Sequence, residues 1–115
     1  MRRLGDLESV VMSLLWSAEA PMTVREVLDH MDRTPPLAYT TVLTVVDNLH
    51  RKGFLVRAKD GRAFRYRPVK ARAEYAADLM SDVLSSSGDR SATLLTFVDR
   101  MSPEEQSRLR QALGE

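Results

Sequence analysis

Apolar residues recur at helical spacing through the first half of the chain and predict three helices. The first runs from about Leu7 to Trp16, with Asp6 as its expected N-cap. The second begins at Thr23, because Thr23-Val24-Arg25-Glu26 has the S/T-x-x-E form of a capping box. The third runs from about Ala38 to Lys52, and Gly53 is well placed as its C-cap.

The third helix has two chemically different faces. Its inward stripe is expected to consist of Tyr39, Val42, Val45, Val46 and Leu49. The other side carries hydroxyl, amide and charged groups, on Thr40, Thr41, Thr44, Asp47, Asn48 and Arg51. Short polar side chains of this kind can donate and accept hydrogen bonds at base edges and phosphates.

A β-hairpin is predicted directly after this helix. Residues 54–59 alternate in the manner of a strand, Asp60-Gly61 is a strong two-residue turn signal, and residues 63–67 form the returning strand. Its basic residues occupy odd-numbered positions, and within each strand such positions point to the same side. We therefore expect one basic face on the hairpin, formed by Arg57, Lys59, Arg65 and Arg67.

Beyond Pro68 the pattern is entirely helical. Helices are expected over about 71–84 and 92–101, with a serine-rich break at 85–89, and Ser102-Pro103-Glu104-Glu105 begins a last helix. The apolar stripes either cover the protein's own core or meet a second copy. We favour a homodimer, because a chain of 115 residues buries only part of its surface alone. The expected dimerisation residues are Tyr75, Leu79, Val83, Leu94, Phe97, Val98, Met101, Leu109 and Leu113.

The net charge of +1 hides an asymmetry between the two parts of the chain. Residues 1–70 carry 12 basic and 8 acidic side chains, whereas residues 71–115 carry 5 basic and 8 acidic ones. Residues 51–70 contain eight basic residues and one acidic residue, Asp60. A local excess of this kind is typical of a surface that contacts phosphates.

Several classes of protein are disfavoured by what the sequence lacks. The absence of cysteine removes disulfides, thiolate metal sites and cysteine nucleophiles. No nucleophile–base pair and no metal-ligand spacing appears, so we expect neither an enzyme nor a metal or cofactor. No segment approaches the roughly 18 apolar residues of a membrane helix, and no secretory signal is indicated. We therefore expect a cytoplasmic protein without membrane insertion.

The order of helix, helix, turn, helix and basic hairpin predicts a winged helix-turn-helix. The expected fold is mainly α with a small β-hairpin wing. We place a DNA-binding domain at residues 1–69 and a helical dimerisation segment at residues 70–115. Double-stranded DNA is the expected partner.

The segment from Leu37 to Gly53 resembles the recognition helix of the penicillinase-repressor (BlaI/MecI) family of transcriptional regulators. That helix has the pattern T-[VI]-x-T-[LV]-x-x-x-L-x-x-K-G, filled here by Thr41, Val42, Thr44, Val45, Leu49, Lys52 and Gly53. The opening Leu4–Trp16 is similar to the family's first helix, and Tyr66-Arg67-Pro68 to its wing exit. The resemblance spans nearly the whole chain.

The resemblance implies a repressor that binds an inverted-repeat operator as a homodimer joined through its C-terminal helices. It also implies control of β-lactam resistance or cell-wall genes. Carried onto this sequence, it assigns base contacts to Thr41, Thr44 and Asn48, and phosphate or edge contacts to Thr40, Arg51 and Lys52. The wing contacts would be Arg57, Lys59, Arg62 and Arg65.

Two departures limit what the resemblance implies about induction. In the best-known members a membrane metalloprotease receptor leads to cleavage at an Asn-Phe bond, whereas this chain has Thr96-Phe97. Proteolysis by a sensor protease is therefore in doubt, and the inducing signal stays open. A copper-responsive branch uses C-terminal cysteines, which are absent here, so copper sensing through thiolates is excluded. Two other functions remain as alternatives, a winged-helix protein–protein adaptor and a repressor that responds to a small ligand.

Overall fold

Six helices and one antiparallel hairpin make up residues 4–115, the part of the chain that the computed structural model describes. Arg2 and Arg3, counted above in the basic excess, lie outside the described residues. In chain order the elements are α1 (Asp6–Ser17), α2 (Val24–His30), α3 (Tyr39–Arg51), β1 (Leu55–Asp60), β2 (Ala63–Pro68), α4 (Arg72–Ser85), α5 (Arg90–Asp99) and α6 (Pro103–Ala112). The predicted fold class, mainly α with a β-hairpin, is confirmed.

Local capping chemistry sets where the first two helices begin. Gly5, and not Asp6, is the N-cap of α1, and its N–H donates to Glu8 Oε1 at 2.9 Å. Asp6 is the first residue of the helix, where a negative charge is favourable near the helix N-terminus. Thr23 caps α2 as predicted, since its Oγ1 accepts the Glu26 N–H at 3.1 Å.

One hydrophobic core joins α1, α2, α3 and the hairpin. Its buried members are Val11, Met12, Leu15, Met22, Val24, Val27, Val42, Val46, Leu49, Leu55 and Tyr66. The predicted inward stripe of α3 is confirmed at Val42, Val46 and Leu49, and Val45 is half-buried. It is wrong at Tyr39, which is 40% exposed. Tyr39 is the first residue of α3, and its ring lies at the surface beneath the Arg25 guanidinium.

The strand register distributes the basic side chains over both faces of the hairpin, so the prediction of one basic face is wrong. Cα partners lie opposite each other in the pairs Arg57 with Tyr66, Lys59 with Phe64, Ala58 with Arg65 and Val56 with Arg67. Directly opposed residues of an antiparallel pair share a face. Arg57 and Lys59 therefore lie on one face, and Arg65 and Arg67 on the other.

The hairpin turns one residue later than predicted. Asp60 pairs with Ala63, so the two turn residues are Gly61 and Arg62. Gly61 has a φ of 65°, a conformation that glycine adopts without steric cost. The turn places Arg62 at the tip of the wing.

The chain divides into two compact units between Ala76 and Ala77. The N-terminal unit, which ends at Ala76, extends past the expected boundary at residue 69. The reason is Tyr75, whose ring centroid lies 5.5 Å from that of Trp16 and 5.7 Å from that of Phe54. Tyr75 is buried among these rings in the N-terminal unit, so its assignment to a dimer surface is corrected.

The C-terminal unit, Ala77–Glu115, has no buried side chain. Val83, Leu94 and Phe97 are each about half exposed. Its helix α5 begins at Arg90, and not at Ala92, because the Asp89 side chain accepts the Ala92 N–H at 3.0 Å. Ser102 caps α6 as predicted.

Candidate nucleic-acid interface

Helix α3 presents a row of threonines to solvent, opposite its buried stripe. Thr40, Thr41 and Thr44 are exposed, whereas Val42 and Val46 are fully buried. The Thr44 hydroxyl donates to the Thr40 carbonyl oxygen at 2.9 Å. Its oxygen still has lone pairs to accept a hydrogen bond, and its methyl group offers an apolar contact. This face therefore has the chemistry needed at base edges in a major groove.

The end of α3 carries a cation that is held by neighbours on the same helix. Arg51 Nη2 donates to Asn48 Oδ1, and Arg51 Nε lies 3.3 Å from an Asp47 carboxylate oxygen. The Arg51 side chain is 68% exposed, and exposed pairs of this kind contribute little to stability. Arg51 can consequently exchange Asp47 for a phosphate at small cost.

Lys52 is directed to the protein's own surface. Its Nζ lies 2.8 Å from Glu8 Oε2, and Glu8 Oε1 accepts the Gly5 N–H. The residue to which the resemblance assigns a DNA contact thus ties the end of α3 to the start of α1. The two sequence segments that carry the resemblance meet at this ion pair.

The Glu8–Lys52 pair makes stability depend on pH. Desolvation acts to raise the pKa of Glu8, but the hydrogen bonds from Lys52 and Gly5, with the charge of Lys52, leave it below its usual 4.5. A lowered folded-state pKa stabilises the protein above the unfolded-state pKa, and this contribution is lost as pH falls through the folded value. We expect Glu8→Gln to lower the free energy of unfolding by about 0.5–1 kcal/mol at pH 7, since Lys52 remains partly in water.

Urea unfolding of both proteins between pH 7 and pH 3 measures this contribution. The difference between wild type and Glu8→Gln should vanish below the folded-state pKa of Glu8, because residue 8 is then neutral in both folded proteins. A difference that stayed constant to pH 3 would mean that the Glu8 charge is not its source.

The predicted wing cations have different surroundings. The Arg57 guanidinium lies 4.1 Å from the centroid of the Phe64 ring, and Lys59 and Arg62 are exposed. Arg65 instead forms ion pairs at 2.7 Å with both Glu26 and Asp60. The structure therefore leaves three of these cations without a carboxylate partner in the wing and holds the fourth, Arg65, in two ion pairs at the surface.

Three exposed groups at this surface were missed by the sequence interpretation. Arg25 in α2 lies over the ring of Tyr39, with 4.9 Å to the centroid, and Phe64 supports Arg57. Helical periodicity placed Tyr39 with the core valines. Only its position at the start of the helix could have indicated that its ring lies at the surface. Strand alternation carries no information on the ring beneath Arg57, because that contact crosses between strands.

The described residues provide no metal site. Among residues 4–115 no group of three or more histidine, cysteine or acidic residues is arranged to hold a metal ion. His30 Nδ1 lies 2.7 Å from the Glu26 carbonyl oxygen, which is a contact within α2. Over the same residues, no helix has both the length and the apolar content to cross a membrane.

Comparison with known proteins decides the family. Residues 4–115 match the family model described as penicillinase repressor. The chain belongs to the penicillinase repressor family. The transcriptional regulator BlaI of Mycobacterium tuberculosis is 46% identical over 118 residues, covering 100% of this chain and 86% of that protein. The penicillinase repressor of Bacillus licheniformis is 28% identical over 117 residues, covering 98% and 91%.

A solved structure supports the same assignment for the N-terminal part of this penicillinase repressor family member. The solution structure of the DNA-binding domain of the repressor BlaI has a TM-score of 0.54 and 28% identity, covering 65% of this chain and 94% of that domain. The chain is thus a transcriptional repressor of the BlaI type with a DNA-binding winged-helix fold. The resemblance found in the sequence is confirmed.

Proposed function

We propose that this repressor binds an inverted-repeat operator as a homodimer, with α3 of each copy in a major groove and each wing along the backbone. The observation that best supports this proposal is the exposed row of Thr40, Thr41 and Thr44 on a helix whose opposite face is fully buried. Such a helix is held rigidly by the core while its polar side faces outward. Asn48, Arg51 and the wing cations Arg57, Lys59 and Arg62 extend this polar surface.

The C-terminal unit supports the proposal of a dimer. Leu79, Met80, Val83, Leu94 and Phe97 line an apolar groove of about 250 Å³ within it. Burial of apolar surface contributes about 25 cal/mol per Å². A dimer in which a second copy covered these residues would therefore be stabilised substantially. The proposed dimer surface comprises Leu79, Val83, Leu94, Phe97, Val98, Met101, Leu109 and Leu113.

Twofold symmetry connects the dimer to the form of its DNA site. A symmetric dimer presents two equivalent recognition helices, and these require half-sites in inverted orientation. A dimer seated on a promoter would repress by occluding polymerase. One relative is a penicillinase repressor. We infer from this similarity that the targets are genes of β-lactam resistance or the cell wall.

Fluorescence anisotropy with the DNA upstream of the repressor's own gene tests this function. A scrambled duplex of equal length and composition serves as the control, and both are titrated across a salt series. Salt-dependent binding that prefers the promoter, at two protomers per duplex, would support the proposal. Equal weak binding to both duplexes would contradict specific readout, and no binding at low salt would favour a protein–protein adaptor.

Thr44→Ala is expected to weaken operator binding by about 1–3 kcal/mol for each base contact that is lost. One contact is lost in each half-site, so base preference should relax at one base pair in each. Thr96→Ala is a matched control. Thr96 is an exposed helical threonine whose hydroxyl donates to the Ala92 carbonyl at 2.8 Å, nearly as Thr44 does to Thr40. Competition anisotropy against single-base operator variants measures both effects. Equal losses for the two variants would remove Thr44 from the set of base contacts.

A further inference from the structure

Arg65 connects three separate segments of the N-terminal unit. From β2, its Nη1 lies 2.7 Å from Glu26 Oε1 in α2 and 3.3 Å from the Pro21 carbonyl oxygen, and its Nε lies 2.7 Å from Asp60 Oδ2 at the end of β1. The wing is therefore joined to the helix-turn-helix by a side chain as well as by its backbone.

We propose that Arg65 is a positioning residue that fixes the orientation of the wing against α2 and does not contact DNA phosphates. The inference rests on the proposed operator binding, and it reassigns one of the four predicted wing cations. Of the four predicted wing contacts with DNA, Arg57, Lys59 and Arg62 then remain.

The local charge around Arg65 opposes a phosphate contact. Two carboxylates lie at 2.7 Å from its guanidinium, so the cluster of Arg65, Glu26 and Asp60 carries a net negative charge. A phosphate that approached Arg65 would be repelled by both acids. Arg57 differs, because its guanidinium rests on the Phe64 ring and keeps its positive charge for an outside anion.

Glu26, one of the partners of Arg65, is itself held in place, so its ion pair with Arg65 can fix the wing relative to α2. Glu26 Oε1 accepts the Thr23 hydroxyl at 3.2 Å, within the capping box of α2. Desolvation acts to raise the pKa of Glu26, but the Thr23 hydrogen bonds and the charge of Arg65 keep it below its usual 4.5, so Glu26 is ionised at neutral pH. The planar guanidinium can bond two carboxylates at once, which an ammonium group does poorly.

Backbone pairing alone anchors only the base of the wing. Met22 N–H donates to the Tyr66 carbonyl at 3.0 Å, and Tyr66 N–H donates to the Met22 carbonyl at 2.8 Å. Asp60 lies next to the turn, so Arg65 extends the anchored region toward the tip. The wing cations are thereby presented at a fixed angle to α3.

The slope of log affinity against log salt separates positioning from phosphate contact. Arg57→Ala should reduce the magnitude of this slope by about 0.9 for each protomer that loses a phosphate contact. Arg65→Ala should leave the slope unchanged and weaken binding about fivefold for each protomer, if the productive wing orientation falls to about a fifth of the population. A slope reduced by Arg65→Ala as much as by Arg57→Ala would overturn the proposal.

Glu26→Gln provides the sharper comparison, because glutamine preserves the capping box while it removes the charge that holds Arg65. If Arg65 is a positioning residue, Glu26→Gln should weaken operator binding even though it makes the protein more positive. Adding Arg65→Ala to this variant should cause no further loss of affinity. Phosphate contact predicts the opposite, since a released Arg65 would strengthen binding and steepen the slope. Arg65→Lys should recover only part of the affinity, and full recovery would contradict a bridge between two carboxylates.

A measurement without DNA keeps this inference separate from the proposed function. Amide hydrogen exchange should accelerate in Arg65→Ala and Glu26→Gln at Ala58, which lies in a hydrogen-bonded pair of the hairpin, and at Tyr66, whose N–H donates to Met22. Thermal unfolding by circular dichroism confirms that both variants fold. Unchanged exchange in both would overturn the positioning role. Failure of wild type to prefer its promoter would instead count against operator binding and leave the exchange result to decide the role of Arg65.

Discussion

Phe97→Glu should separate the protomers of the proposed dimer and lower affinity for the complete operator by roughly 10²–10⁴-fold, because a dimer binds its second half-site as an intramolecular event. Phe97 is 51% exposed and lines the apolar groove of the C-terminal unit. A carboxylate there would be buried without a partner in the dimer, and such burial is strongly unfavourable. Sedimentation velocity and anisotropy on the complete operator measure the two effects.

Ser91→Glu is the matched control for this substitution. It introduces the same charge into the same helix at an exposed position outside the groove residues. Both variants should bind an isolated half-site as wild type does, since the N-terminal unit is unaltered. A dimeric Phe97→Glu protein with unchanged operator affinity would show that copies of the chain do not associate through this groove.

Leu49→Ala should lower the free energy of unfolding by about 2–5 kcal/mol, which is the usual range for a cavity left by a buried leucine. Leu49 has no exposed surface and packs in the core that α3 shares with α1, α2 and the hairpin. A loss of this size is a large fraction of the stability of a small domain. Urea unfolding followed by fluorescence of Trp16, the one tryptophan of the sequence, reports on the N-terminal unit.

Leu43→Ala serves as the control, because it makes the same change in the same helix at a side chain that is 38% exposed. Its effect should remain within about 0.5 kcal/mol. Both variants are compared with wild type at one protomer concentration, because the proposed dimerisation would make apparent stability depend on concentration. Equal losses at the two positions would contradict the burial assigned to α3.

Features that depend on neighbours in the chain were predicted well from the sequence. The capping boxes at Thr23 and Ser102 were confirmed, because their hydrogen bonds span only three residues. Helical periodicity likewise found Val42, Val46 and Leu49, whose spacing alone fixes a common face. Fold class followed from the order of these elements, and so did the family resemblance.

Features that depend on distant partners could not be obtained in this way. Lys52 and Arg65 are basic residues in a basic stretch, yet Glu8 lies 44 residues from Lys52 and Glu26 lies 39 residues from Arg65. Only the second partner of Arg65, Asp60, is near in sequence. Tyr75 was assigned to the wrong surface because its packing against Trp16 exists only in the folded unit. Hairpin alternation was correct within each strand, but the register between strands decided which cations share a face.

The division of basic residues between the two faces of the wing has a consequence for the shape of its DNA target. Where the wing lies along the backbone, a ribbon with Arg57 and Lys59 on one side and Arg67 on the other can contact two phosphate backbones at once. It therefore fits a cleft with negative walls on both sides better than a flat run of phosphates. The minor groove is such a cleft, and in A-tracts it is narrow and strongly negative. We therefore expect the flanks of the operator to favour adenine–thymine runs through groove width, at positions where no side chain reads a base.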